Sequence, residues 1–214
     1  MASRPVFIPN HQGLALVEER FFDFEWSAGF SESQKKKNVY ALHAAAMRNG
    51  LYKILEISSK SDDKIGRRLS AFSLKIEIQG NEYPLESVYQ GSKVFELCGA
   101  SEEVFRLSPL DAKRHIRALD CGQLIGFELE GRKFPLVPKN AFYDWLYIRS
   151  LAKHADWINQ NVDYDGYTDI EFNPARQVNC QARAFAEYKT LSEKGQLQVA
   201  VRDFEFFSAM LPPI

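Results

Sequence analysis

Residues 72–95 read Phe72-Ser73-Leu74-Lys75-Ile76-Glu77-Ile78-Gln79-Gly80-Asn81-Glu82-Tyr83-Pro84-Leu85-Glu86-Ser87-Val88-Tyr89-Gln90-Gly91-Ser92-Lys93-Val94-Phe95. The first part alternates apolar and polar side chains and ends at Gln79-Gly80-Asn81, which predicts a strand that closes in a hairpin turn. At Pro84 the pattern changes, because proline is favoured at the first helical position. Leu85, Val88 and Phe95 then form a stripe that can face a core. Glu86, Gln90 and Lys93 fall at i, i+4 and i+7 on another stripe. Hairpin followed by amphipathic helix points to the α+β class.

The flanks extend this pattern. A second strand–turn–strand is predicted from Leu124 to Leu136, turning at Glu130-Gly131-Arg132. Residues 51–58 (Leu51, Ile54, Leu55, Ile57) read as a strand, and Ser58 to Arg68 as a polar loop. A helix is predicted near 31–49, where Ser31 and Gln34 carry a capping-box signature and Val39, Leu42 and Ala46 share a face. Lys35, Lys36 and Lys37 within it read as a solvated run. Another helix should start at Ser108 with Pro109 just inside it. A third is expected from about Asn140 to Trp157, and a fourth from Asn179 to near Gly195. The strands look antiparallel, and helices outnumber them. No repeat or Pro/Gly-rich linker divides the chain. The expectation is a helix-rich single domain with small antiparallel β-hairpins, in which residues 1–50 form an N-terminal extension packed on a core of residues 51–214.

Composition narrows the function. The chain has 214 residues, of which 45% are hydrophobic and 26% charged, an ordinary globular balance. A formal net charge of -1 argues against a nucleic-acid coat with its strong basic excess. A local basic groove for a single strand is still compatible with it. Cys98, Cys121 and Cys180 contain no CxxC pair, which fits a reducing compartment better than a disulfide framework or a zinc site. Residues 1–5 lack an apolar signal core, and no run is long enough to cross a bilayer, so a cytoplasmic protein is expected. His11, His43, His115 and His154 have no ligand spacing, so neither metal nor other cofactor is expected. Neither phosphate-binding glycine loops nor standard hydrolase signatures occur.

Two places can carry chemistry. The stripe of Glu86, Gln90 and Lys93 is either a solvent-facing ladder or the lining of a cleft in which a carboxylate and an amine shift each other's proton affinity. Asp169, in Tyr167-Thr168-Asp169-Ile170-Glu171-Phe172-Asn173-Pro174, either satisfies a turn together with Asn173 or acts in a site. Asn179 before a helix and Arg183 in its first turns either serve as cap and surface charge or suit a phosphate.

Leu69-Ser70-Ala71-Phe72, Tyr83-Pro84-Leu85-Glu86-Ser87-Val88-Tyr89-Gln90-Gly91-Ser92-Lys93-Val94-Phe95 and Ser108-Pro109-Leu110-Asp111-Ala112 resemble, in this order, the LSNF, WP-x-SEHYFQAQKF and SP-x-EA elements of the NADAR (YbiA-like) superfamily. Tyr167-Thr168-Asp169 and Asn179-Cys180-Gln181-Ala182 are similar to its WGDG and NRLG elements. Phe24-Glu25-Trp26, Leu55-Glu56-Ile57-Ser58-Ser59-Lys60-Ser61 and Phe142-Tyr143-Asp144-Trp145-Leu146 extend the resemblance to the DarT-associated NADAR antitoxins, over residues 5–207. Ala71 departs from the LSNF asparagine, and Ile170-Glu171-Phe172-Asn173-Pro174 departs from a glycine-rich stretch.

The resemblance implies an N-glycosidase that removes ADP-ribose from guanine in DNA, a single strand by expectation, opposing a DarT-type toxin that is also a potential direct partner. By motif, Glu86 acts at C1 of the distal ribose, Asp169 is the second acid/base group, and Lys93 either fixes the substrate or attacks C1 to form an imine. Phe72, Tyr89 and Trp145 are expected against base faces, although core packing is the alternative for them. Ser70, Gln90 and Asn179 are expected at ribose hydroxyls, and Lys60 and Arg183 at the pyrophosphate. Two other readings are open. One is an N-glycosidase of a free small molecule such as a riboflavin-pathway intermediate. The other is a non-catalytic antitoxin that binds its toxin through Phe204, Phe206, Phe207, Met210 and Leu211.

Overall fold

The structure is a computed structural model and describes residues 1–29 and 31–212. It opens with a hairpin that the sequence patterns did not reveal. Strand β1 (Ala2–Pro9) pairs antiparallel with β2 (Val17–Phe24), from Ala2 opposite Phe24 to Pro9 opposite Val17. The signal in β2 is weak because only Phe22 and Phe24 are buried and its first half is polar. Helix α1 (Glu32–Met47) follows, with the Ser31 hydroxyl accepting from Gln34 N at 3.3 Å, as the capping motif predicts. It buries Val39, Leu42, Ala45 and Ala46 against Val6, Phe22 and Phe24. Its lysines are engaged more than a solvated run implies. Lys35 pairs with Glu171 at 2.6 Å, and Lys36 pairs with Asp62 at 2.7 Å.

Strand β3 (Ile54–Glu56) occupies the middle of the expected 51–58 strand. The loop after it contains a short helix, α2 (Lys64–Arg68), because Asp63 Oδ1 caps it by accepting from Ile65 N at 2.7 Å. Strands β4 (Lys75–Ile78) and β5 (Asn81–Pro84) form the predicted hairpin, with Gln79 and Gly80 at φ 50° and 77°. Positive φ at both central residues is what a tight hairpin turn requires.

Helix α3 (Leu85–Gly91) is shorter than its stripe suggests: Pro84 ends β5 and caps the helix, and Lys93 opens strand β6 (Lys93–Phe95). A 3-10 turn at Glu102–Arg106 leads to α4 (Pro109–Ala118), capped by Ser108 as expected. Strand β7 (Leu124–Leu129) pairs with β6 on one side and with β8 (Arg132–Phe134) on the other. The helix expected from Asn140 to Trp157 is two, α5 (Ala141–Ala152) and α6 (Ala155–Asn161), separated at Lys153 and His154.

Strand β9 (Gly166–Thr168) lies between β1 and β3 in a sheet ordered β2-β1-β9-β3. The hairpins are antiparallel as expected, but β9 runs parallel to β3, with Glu56 opposite Thr168. Such a pairing joins segments far apart in sequence, so no turn signal announces it. Helices α7 (Gln181–Glu193), α8 (Leu197–Arg202) and α9 (Phe204–Ser208) close the chain. Helix α5 is buried almost throughout and forms the spine of the main core with α7. Phe204, Phe207 and Leu211 dock into that core, and Phe206 and Met210 pack against it, so these five residues serve core packing. The class is α+β.

The unpaired thiols inferred from cysteine spacing are corrected at two positions. Backbone bonds Leu97 N to Cys121 O and Glu96 N to Gln123 O, both 3.0 Å, lay the segment after β6 beside the one before β7. Cys98 and Cys121 are thereby brought to a Cα separation of 5.5 Å and form a disulfide. Cys180 is free and buried.

Candidate active site

Between α3, the segments following β3 and β9, and the start of α7 lies a cavity of about 520 Å³. Glu86, Tyr89 and Gln90 line it from α3, while Leu85 and Val88 on the opposite face are fully buried in the core. The polar stripe therefore lines a cleft and is not a solvent ladder. Lys93 arrives by a different route. The chain leaves α3 at Ser92 and enters β6, and from there the ammonium donates to Gln90 Oε1 at 2.8 Å. It also lies 4.9 Å from the centroid of the Tyr89 ring.

Lys93, Glu86 and Asp169 are each shifted, for an identifiable reason. Burial lowers the Lys93 ammonium to about 8, with Glu86 opposing and Lys113 and Arg117 assisting. Burial raises the Glu86 carboxyl, and the Tyr143 hydroxyl, donating to Glu86 Oε1 at 2.9 Å, counters that. Asp169 follows β9 directly. Its Oδ1 accepts from Glu171 N at 3.1 Å, so the turn reading of this residue is true as far as it goes. Asp169 also lines the cavity, where burial and the neighbouring Glu56 push its carboxyl well above the usual range. Gln181 hydrogen-bonds the same carboxyl. The Gln181 amide is itself anchored, because its Oε1 accepts from Ala71 N at 2.8 Å and Ser70 Oγ at 3.3 Å.

The sequence model of the DarT1-associated NADAR antitoxin family matches residues 2–213, nearly the whole chain. The chain belongs to that family. No curated protein matches it in sequence. Membership makes it an antitoxin of the DarT-associated class.

In this NADAR antitoxin the cavity gathers Glu86, Lys93, Asp169, Lys60, Phe72, Tyr89, Gln90 and Asn179 from the residues singled out in the sequence. Phe72 is 60% exposed, which places its ring at the surface edge of the cavity. Tyr89 lines the cavity and also packs at 5.1 Å from Tyr143 and 5.7 Å from Phe127. Asn179 is not the helix cap, since Cys180 holds that position, and its Nδ2 donates to the Tyr89 hydroxyl at 2.8 Å.

Three of the singled-out residues sit elsewhere. Trp145 is core: it is 3% exposed, donates from Nε1 to Ala200 O at 3.0 Å and packs on Phe134 and Phe204. Arg183 turns inward, donating to Val178 O at 2.6 Å and lying 3.5 Å from Asp144, a fully buried acid that needs a countercharge. Ser70 is buried and does not line the cavity; its Oγ donates to Gln181 Oε1.

Sequence reasoning passed over Tyr143, Lys113 and Gln181 as lining residues. Tyr143 lies in an aromatic-rich helix whose spacing reads as core. Lys113, and not Arg183, joins Lys60 and Lys93 in lining the cavity. Among the described residues no helix is long and apolar enough to cross a membrane.

Proposed function

We propose that this antitoxin is a cytoplasmic N-glycosidase that removes ADP-ribose from guanine bases on single-stranded DNA and so reverses a DarT-type modification. The observation that carries this reading is the convergence of Glu86, Lys93 and Asp169, from three separate elements, on one cavity. Its volume falls in the range of small-molecule and cofactor sites. Lys60 and Lys113 supply charge for the pyrophosphate, Gln90 and Asn179 offer amides to ribose hydroxyls, and Phe72 stacks a base at the rim. In this reading residues 1–50 are an extension packed on a catalytic unit of residues 51–214.

The reaction breaks the bond between C1 of the distal ribose and the guanine nitrogen. The nitrogen lone pair moves toward C1 while the ring oxygen takes a proton from Asp169, which opens the sugar. Glu86 stabilises the positive charge at C1. The neutral Lys93 amine then adds to C1, and the guanine amine departs with a proton, leaving a lysine imine. Water hydrolyses the imine, supplies the oxygen at C1 and frees both ADP-ribose and Lys93. Net consumption is one water. A lysine held at about 8 is roughly one-tenth neutral at pH 7, which leaves a fraction of the amine free to add to C1.

The test is release of ADP-ribose from a single-stranded oligonucleotide modified on guanine, beside a free ADP-ribosylated guanine nucleotide as the small-molecule control. Glu86→Gln should lower release at least about a hundredfold while leaving the fold intact. Borohydride during turnover should trap ADP-ribose on Lys93. Full activity in Glu86→Gln refutes the role of Glu86, and the lack of any reduced adduct removes the imine. Rescue of toxin-expressing cells by Glu86→Gln would favour neutralisation by binding alone.

A further inference from the structure

Beside Asp169 lies a second acid that the reaction above does not use. Glu56 ends β3 and is 3% exposed. Its carboxylate grips the chain on both sides of Asp169: Thr168 Oγ1 donates to Oε2 at 2.7 Å, and Ile170 N donates to Oε1 at 2.9 Å. The parallel β3–β9 register, with Glu56 opposite Thr168, is what makes this grip possible. On the outer side His43 Nε2 lies 2.8 Å from the same Thr168 hydroxyl. With that hydroxyl's proton given to an ionised Glu56, Nε2 must be the protonated ring nitrogen.

Most other charged groups around Glu56 have partners. From α1, Lys36 pairs with Glu32 and Asp62, and Tyr40 donates to Asp62. Asp63 caps α2. Glu171, from the segment after β9, pairs with Lys35, and Lys60 lies where the active-site cavity meets a shallow groove over Glu56. Burial lowers His43 to about 4, so it stays neutral near pH 7. The acid left facing Glu56 is Asp169.

We propose that Glu56 is a positioning residue for Asp169: gripping the backbone on both flanks of that acid, it holds the Asp169 carboxyl next to its own and shares a single proton with it. This rests on the reading of Asp169 as the acid of the glycosidase reaction. Two neighbouring carboxyls, one of them buried, resist ionising together, and their titration belongs to the pair. In keeping with this, Glu56 is raised to about 7 by burial, and Asp169 is pushed well up by burial and by Glu56. Asp169 thereby enters the reaction carrying a proton. After donating it to the ring oxygen, the carboxylate re-formed beside Glu56 readily takes a proton back from the water that hydrolyses the imine. The pair serves as acid and then as base, with no net proton gained or lost.

The test uses the intact chain with Glu56→Gln and Asp169→Asn. An infrared titration of the protonated-carboxyl band needs no substrate. In each single variant the surviving acid should titrate at lower pH than the pair does in the parent, by at least about one unit. In turnover, the alkaline limb of kcat in Glu56→Gln should move to lower pH, with kcat at pH 8 lower by about tenfold, the effect of a one-unit shift. KM should stay within about twofold. Unchanged titration of the surviving acid, or a Glu56→Gln variant that keeps the parent's pH limbs, overturns the proposal. If Glu56→Gln does not fold, the titration of Glu56 in Asp169→Asn decides it alone. A parent that releases no ADP-ribose rejects the glycosidase reading, yet the infrared titration still reports on the shared proton.

Discussion

At the scale of single residues, the site depends on where protons sit. Tyr143 is the clearest case, because its hydroxyl donates to Glu86 at 2.9 Å while burial works in the other direction. The donor stabilises the charged carboxylate and so lowers its proton affinity. Tyr143→Phe removes that stabilisation, and Glu86 should then hold its proton to higher pH. The acid limb of the activity profile should move up, and kcat below it should fall by about tenfold, in line with a hydrogen bond to a charged group of roughly 1.5 kcal/mol. A variant with the limb unmoved would show that the hydroxyl does not tune Glu86. The misplacement of Arg183 belongs to this scale too. An arginine in the first turn of a helix can meet a phosphate or a buried acid, and here the fully buried Asp144 claims it.

At the scale of elements, the site is held by close packing of short pieces. Helix α2 lies against the end of β3 with no side chain between them: a Cβ on Gly66 would run into the Glu56 carbonyl and the Ser61 hydroxyl. Gly66→Ala must push α2 away from the strand that carries Glu56. The expected cost is about 2 kcal/mol, typical of overpacking, read as a lowered denaturation midpoint with an unchanged slope. A stability equal to the parent's would mean that α2 can shift freely. The same element logic corrects the route to Lys93. The i+7 spacing placed it on the helix stripe, yet the helix stops at Gly91, and Lys93 is brought back to Gln90 by strand β6.

At the scale of the whole molecule, acids are buried in number, and this sets the response of stability to pH. Glu56 is raised to about 7 and Asp144 to about 6, and Asp169 and Glu187 are also held well above the usual carboxylate range, all chiefly by burial. A carboxyl whose folded pKa exceeds its unfolded one contributes stability that is complete below the unfolded value and is lost as pH rises through the folded value. Glu56 alone contributes on the order of 3 kcal/mol by this linkage. His43, lowered from 6.5 to about 4, acts oppositely and costs stability only as pH falls through that interval. The sum predicts a melting temperature that is highest near about pH 4.5, where the unfolded carboxyls begin to ionise, and declines as pH rises to about 8. Thermal denaturation across that range checks it, and a melting temperature that rises with pH contradicts it.

The α+β class, both inner hairpins, the Ser31 and Ser108 caps, and the family are legible in the order of residues. These are local signals, periodicity and turn or cap chemistry, that need no knowledge of distant partners. It also pointed to Glu86, Lys93 and Asp169 through motif order. Tertiary structure alone decided which polar stripe faces a cavity, because a helix face is the same sequence whether it meets water or a cleft. It alone paired β3 with β9 in parallel, set Glu56 behind Asp169 and joined Cys98 to Cys121 across 23 positions. It also sent Trp145 and Arg183 into the interior, since the claim of a core or of a buried charge on a side chain depends on neighbours that only folding supplies.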